Sequence, residues 1–306
     1  MVGEVPSTPA FTTLAARINE IAQEVGGEGL AVSMFDYETG AEWSERGDRW
    51  FHSASTIKVA VLLALFGALD AGRFTLDSRL HVRNRFLSLV DGTPFRVAAG
   101  RDADKEVHAA IGKTMRIADL ARHMIVTSSN LATNLLVDLI KVDQAQEMLA
   151  RHGIEGVELA RGVEDDKAFE ANFNNRVTAN GLVALFRVIY ERRGLLPDSA
   201  RQMIDILFEQ QFRSGIPAGL PSDVRSDARI ANKTGEISVA AHDAGLVFLP
   251  DRKPYVLAVL TEPEPATDGR MERIARVSKA IYTCLASLPK VAPTDERTVA
   301  ADRRRH

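Results

Sequence analysis

The chain has one cysteine in 306 residues, Cys284, so an internal disulfide and a multi-cysteine zinc site are both excluded. Cys284 lies in an apolar stretch near the C-terminus and reads as a small core residue. Excess charge is also missing. A formal net charge of -3 gives no electrostatic footprint for nucleic acid. No apolar run approaches the roughly 20 residues a membrane span needs. The opening MVGEVPSTPAFTTLAARI lacks a basic start, an apolar core and a small-residue cleavage site. The expected location is therefore cytoplasmic, or periplasmic or secreted if a leader has been removed. Repeats, linkers and low-complexity tracts are absent, and the ADRRRH end reads as a frayed terminus. No H-E-x-x-H occurs. AIGKT ends like a phosphate-binding loop, but Val107 stands where its first glycine should be.

What is present is ordinary globular composition, 45% hydrophobic and 26% charged, with enough apolar side chains for a sizeable core. Residues 12–25 have helical spacing and meet Gly26-Gly27. LAVSMFDYETGAEWSERG alternates and turns at Glu38-Thr39-Gly40, a β-hairpin pattern. FHSASTIKVAVLLALF reads as a buried helix, and Asp91-Gly92-Thr93-Pro94 as a turn. Residues 114–151 read as two helical pieces, MRIADLARHMIVTSSNLATNLLVDLI and VDQAQEMLARHG, and residues 178–193 as another helix. Between them, residues 161–176 are polar and loop-like. From residue 229 the period becomes two: ARIANKTG, HDAGLVFLP and YVLAVLTEP read as strands, and MERIARVSKAIYTCLASL closes as an amphipathic helix. The class is α+β, an antiparallel sheet built from both ends of the chain with an inserted helical block.

Three short motifs carry the chemistry. In the first, Ser55 and Lys58 are three apart on one helix face, at a helix N-terminus where amides and the dipole favour developing negative charge. A lysine desolvated there deprotonates readily and can take a serine proton. A serine cap with a snorkelling lysine explains the same letters, and S-x-x-K arises by chance about once in such a chain. The second is Ser128-x-Asn130, a hydroxyl and an amide able to face one cleft; alone, it reads equally as a local break with N-cap chemistry. The third is Lys233-Thr234-Gly235 at a strand start, where glycine permits close approach of a substrate backbone and the neighbours offer a cation and a hydroxyl. K-T-G occurs by chance about once in twenty such chains, otherwise as a plain exposed strand start.

In this order and placement, S-x-x-K, S-x-N and K-T-G resemble the signature of class A β-lactamases and related penicillin-binding serine hydrolases. The resemblance covers roughly residues 12–288, with HSASTIKV and MIVTSSNLATNLL its closest pieces beside the strands after KTG. It implies one catalytic domain over 12–288, with an α/β part near 12–50 and 215–288 and a helical part near 51–214, between terminal tails. It further implies Ser55 as acylated nucleophile, Lys58 as proton acceptor or relay and Ser128 as proton donor to the leaving nitrogen. Asn130 would hold the substrate amide and orient the lysine. Lys233 and Thr234 would bind a substrate carboxylate, and the amides of Ser55 and Glu236 would form an oxyanion hole. Asn134 would brace the loop below the site, Arg161 would anchor it, and Asp243 would be structural. No cofactor and no metal are implied. The expected partner is a small β-lactam or related amide or ester, met by a monomer.

Several features depart from the family pattern. The usual loop glutamate spacing is missing from RGVEDDKAFEANFNN, which leaves Glu164, with Glu170 behind it, as the candidate to activate a deacylating water. Both also read as solvated loop carboxylates. Glu236 stands where penicillin-hydrolysing relatives carry a small or hydroxylic residue. It should repel a substrate carboxylate, unless it pairs with Lys233 or meets a positive group on the substrate. SSN stands where many relatives have S-D-N. The segment NRFLSLVDGTPFRVAAGRDADKEVHAAIG is longer than usual and is placed to cover the cleft. Among the histidines, His52 reads as packing beside the first motif, and His242 as bordering the cleft at a strand edge. These departures fit a divergent branch. The readings left open are β-lactam hydrolysis, the same chemistry on another amide or ester including a D-Ala-D-Ala peptidase, and a sensor that is acylated without turnover.

Overall fold

The computed structural model describes residues 9–24, 27–262 and 269–289. Gly26 and the ADRRRH tail lie outside these. Helix α1 (Pro9–Gln23) leads into a hairpin of β1 (Leu30–Asp36) and β2 (Glu42–Glu45). Three later strands, β3 (Arg229–Ile237), β4 (Ala240–Phe248) and β5 (Tyr255–Thr261), complete an antiparallel sheet in the order β3-β4-β5-β1-β2. The two ends of the chain thus share one sheet, as the period-two segments imply.

The sheet is buried on both faces, which is why β1 and β5 are nearly continuous apolar runs. In β5, Tyr255, Leu257 and Val259 point to one face, where Phe11, Leu14, Ile18 and Ile21 of α1 join the C-terminal helix (Arg270–Ser287). Val256, Ala258 and Leu260 point to the other, toward the helical layer. Cys284 is buried in the first of these cores.

The helical layer holds α2 (Lys58–Asp70), α3 (Ile117–Val126), α4 (Asn130–Ile140), α5 (Val142–Arg151), α6 (Ala179–Tyr190) and α7 (Pro197–Phe208). α2 is apolar all round because neighbours surround it: α4, α5 and α7 contact it, while α6 lies on β1 and β5. Three local readings change. The long piece expected from residue 114 breaks at Thr127–Ser129, because Ser128 takes a left-handed φ of 61° and Ser129 caps α4 by accepting from the Ala132 amide at 3.2 Å. The polar 161–176 stretch contains a short helix, Asp166–Glu170, capped by Asp165. α7 lies in a stretch to which no element was assigned, although Pro197 in its first turn, Asp198 beside it and the apolar residues Ala200, Met203, Ile204, Leu207 and Phe208 are helix signals.

Leu62 is completely buried in α2, whereas Leu196 is 57% exposed. Leu62→Ala should lower unfolding free energy in urea by about 2–5 kcal/mol, and Leu196→Ala should leave it within about 0.5 kcal/mol.

Candidate active site

The first motif sits on a tight turn. Phe51–His52 pairs with Arg176–Val177, and the chain then enters a 3-10 turn, Ala54–Ile57, with Ala54 at φ 45°. His52 Nδ1 accepts from the Ala54 amide at 3.0 Å, and Ser53 O accepts from Thr56 Oγ1 at 2.6 Å. The turn presents Ser55 to a cleft also lined by Arg101, Ala103, Ser128, Asn130, Phe212, Ser214, Thr234, Glu236 and Met271. Lys58, the first residue of α2, has no exposure. Its Nζ donates to Ser128 O at 2.7 Å, Asn130 Oδ1 at 2.8 Å and Ser128 Oγ at 3.1 Å. Those oxygens, rather than Ser55 Oγ, are its hydrogen-bond partners. Burial pulls the amine down to about 7, and the charges of Asp102 and Glu164 oppose that shift.

The second motif is the link between α3 and α4. Ser128 Oγ stands 3.1 Å from Lys58 Nζ and 3.1 Å from Lys233 Nζ, so one hydroxyl is shared by two buried lysines. Asn130 turns its oxygen to Lys58 and donates from Nδ2 to Glu164 Oε1 at 3.0 Å and to Arg101 O at 3.2 Å. The third motif lies on β3, the free edge of the sheet beside the turn. Lys233 is buried and also donates to Thr234 O at 2.7 Å. Burial lowers its pKa well below the ordinary value, and nearby Lys58 lowers it further. Such a trio can move a proton: a neutral amine accepts it, and a hydroxyl between two amines passes it on.

Gly235 has a different reason from the one expected. A Cβ there would lie 2.8 Å from the Ser55 amide nitrogen, 3.0 Å from the Thr56 nitrogen and 3.0 Å from Ala54 Cβ. The close approach is thus made by the chain's own turn. Glu236 does not pair with Lys233. It is half-exposed and faces Arg270 at 3.3 Å, while Arg270 is held by Ile237 O and Ser238 O. His242 does not border the cleft, because β4 is interior to the sheet. It is fully buried, with Nε2 2.8 Å from His52 O and Nδ1 accepting from the Thr261 amide at 3.1 Å. Asp243 is structural in its contacts, accepting from Asn232 Nδ2 and the Ile216 amide, each at 2.8 Å.

The loop below the site is tied from both sides. Asn134 donates to Val163 O at 2.9 Å and accepts from the Val163 amide at 2.7 Å. Arg161 donates to Phe173 O at 2.5 Å, Gly162 O at 2.9 Å and Asn174 Oδ1 at 3.0 Å. Glu164, at φ 63°, is not itself a cleft-lining residue but lies partly buried behind two that are: Asn130 donates to its Oε1, and Arg101 Nε lies 2.7 Å from Oε2. Burial raises its pKa, and Arg101 counters that rise. Glu170 is exposed at the end of the short helix and is not among the cleft residues. The sequence reading missed Arg101, Asp102, Asp104 and Arg270. The clustered charges in RDAD, inside the unusually long segment, were the available signal. Among the described residues, no group of three or more His, Cys, Asp or Glu side chains could hold a metal ion, and no helix is long and apolar enough to cross a membrane.

Gly235→Ala forces a methyl onto backbone atoms, so something must shift. The variant should lose about 1–3 kcal/mol in urea denaturation.

Comparison with known proteins bears on the family and the fold. The chain is 24% identical over 264 residues to a β-lactamase of Bacteroides uniformis, covering 80% of this chain and 85% of that protein. Among solved structures, the L158E mutant of PBP-A, an acyl-enzyme complex with penicillin G, is 28% identical with a TM-score of 0.74. That match covers 90% of this chain and 97% of the other. An ancestral class A β-lactamase is 26% identical with a TM-score of 0.74, covering 88% and 99% of the two chains. The model of the β-lactamase enzyme family matches residues 13–285, and the chain belongs to that family.

Proposed function

We propose that this protein is a serine hydrolase that opens β-lactams through an acyl-enzyme, in the manner of class A β-lactamases. The observation that carries the reading is the shared Ser128 hydroxyl, 3.1 Å from each of the buried amines of Lys58 and Lys233 in a cleft that also presents Ser55. Neutral Lys58 accepts the Ser55 proton as Ser55 Oγ bonds to the lactam carbonyl carbon. The amides of Ser55 and Glu236 receive the developing oxyanion. The C–N bond breaks as Ser128 gives its proton to the ring nitrogen, and Lys58 returns a proton to Ser128. Thr234 and Lys233 receive the substrate carboxylate, and Asn130 the side-chain amide. Glu164 then takes a proton from a water whose oxygen bonds to the ester carbonyl carbon, and it returns that proton to Ser55 Oγ as the acyl–Oγ bond breaks. The catalytic unit is residues 12–288, with the helical part near 51–214 set into the α/β part, a division supported by the shared sheet and by the extent of the family match.

Glu236 favours a second reading. Its half-exposed carboxylate at the cleft disfavours an anionic group there, so the same chemistry on an uncharged amide or ester follows if β-lactams fail.

Intact-protein mass spectrometry after mixing with a penicillin tests both. A transient adduct on Ser55 with drug consumption is expected, absent in Ser55→Ala. Glu164→Gln should accumulate the adduct. Adduct loss at the wild-type rate in that variant would move the deacylating base elsewhere. No adduct from a penicillin but turnover of an uncharged ester selects the second reading.

The pH dependence follows from Lys58, whose folded pKa is depressed to about 7. Because the neutral amine is the proton acceptor, single-turnover acylation should rise with pH through about 7 and level off above about 8. Lys58→Ala should acylate about 10²–10⁴-fold more slowly and lose that rise. An unchanged pH profile in the variant would assign the base to another group.

A further inference from the structure

The link that carries Ser128 has no carboxylate of its own, since Ser129 occupies the middle of the motif. Its backbone nevertheless needs one. Ser128 is held in a left-handed conformation that a non-glycine residue adopts only under external constraint. Behind it, the first amides of α4 require acceptors. Ser129 Oγ satisfies the Ala132 amide. The Leu131 amide donates instead to Asp102 Oδ2, at 2.9 Å, from a segment 29 residues away.

Asp102 has no side-chain exposure. The same Oδ2 accepts from Ser129 Oγ at 3.3 Å and lies 3.2 Å from His108 Nε2, while Oδ1 accepts from the Asp104 amide at 3.1 Å. Asp104 completes the clamp. Its Oδ1 accepts from the amides of Glu106 and Val107, and its Oδ2 meets Thr127 Oγ1 and His123 Nδ1. Two buried carboxylates from one tetrapeptide therefore hold the link at both ends.

We propose that Asp102 supplies, from the cleft-covering segment, the carboxylate missing from position 129, and that it positions Ser128 and Asn130 for the proton relay. It touches neither Lys58 nor Glu164 and is a positioning residue. The charge of Asp102 also acts on Lys58 across the site, which agrees with this placement. The proposal rests on the acyl-enzyme reading for its kinetic consequence, but not for its structural one.

Asp102→Ala and the double variant Asp102→Ala with Ser129→Asp provide the test, because aspartate is itself a favoured helix cap. Acylation by a fluorescent penicillin should slow about 100-fold in the single variant, as misplacement of a reacting group by about an ångström does. Hydrogen exchange at the Leu131 amide should accelerate in parallel. Adding Ser129→Asp should bring acylation back to within about tenfold of the wild type and restore amide protection. Wild-type acylation in the single variant, or a folded double variant as slow as the single, overturns the proposal. If the single variant does not fold, the double variant must, and its failure to fold overturns the proposal as well. If the wild type itself takes no acyl group, the functional reading fails, and Leu131 exchange in the same variants still decides for or against Asp102.

Discussion

An amine with no exposure at the start of an apolar helix is the constraint on which this site depends. Lys58 loses its hydration on folding, and an unpaired buried charge costs several kcal/mol. Three oxygens replace the water, two of them on Ser128 and one on Asn130. They come from a single link between two helices. The link must therefore turn sharply enough to offer both a carbonyl and a hydroxyl to one nitrogen, and a continuous helix cannot do that. The break at Thr127–Ser129, the left-handed Ser128 and the cap of α4 all follow from the need to hold that amine. Three neutral acceptors do not fully replace water for a cation, so the amine settles near neutrality, where it can exchange a proton.

The rest of the structure brings the other two segments to that link. Edge strand β3 carries Lys233 to the far side of the Ser128 hydroxyl, and Gly235 lets the strand touch the backbone of the Ser55 turn. A side chain at residue 235 would separate the two amides proposed to receive an oxyanion. The loop bearing Glu164 is held by Asn134 from α4, the helix that begins with Asn130. One short helix thus fixes both the acceptor for Lys58 and the height of the loop carboxylate.

Much of this was legible in the sequence, and the reason is physical. The hydroxyls, amines and amide that meet at the cleft lie in three short segments, so S-x-x-K, S-x-N and K-T-G can be read as letters in order. The sheet was legible because its strands alternate or run apolar according to how many faces they bury. What was not legible depends on contacts between distant segments. Asp102 and Asp104 sit in an irregular stretch with no period, and their value lies in the Leu131 amide of α4 and in side chains of α3 and the link. Their charges could have been noticed, but not their partners. His242 looked like a cleft residue because it precedes Asp243 where a strand was expected to open. Sheet order makes it interior, and its two nitrogens join the His52 and Thr261 backbones. α7, by contrast, was legible and went unassigned: behind Pro197-Asp198 its apolar residues recur at Ala200, Met203, Ile204, Leu207 and Phe208.

The cations around the cleft are engaged with groups of the protein itself. Arg101 faces Glu164 and Asp166, Arg270 faces Glu236, and Lys58 and Lys233 share Ser128. On the β-lactam reading, an incoming carboxylate must displace one of these partners. Lys233 is the pair most readily exchanged, because its present acceptors are a neutral hydroxyl and a carbonyl, whereas both arginines already face carboxylates. An anion beside Lys233 would favour its charged form and draw it away from Ser128. That hydroxyl would then be left to Lys58 alone, as proton transfer toward the leaving nitrogen requires. Substrate charge and the proton relay are coupled through one serine, and the nearby carboxylate of Glu236 sets how strongly a substrate must bind to complete that exchange.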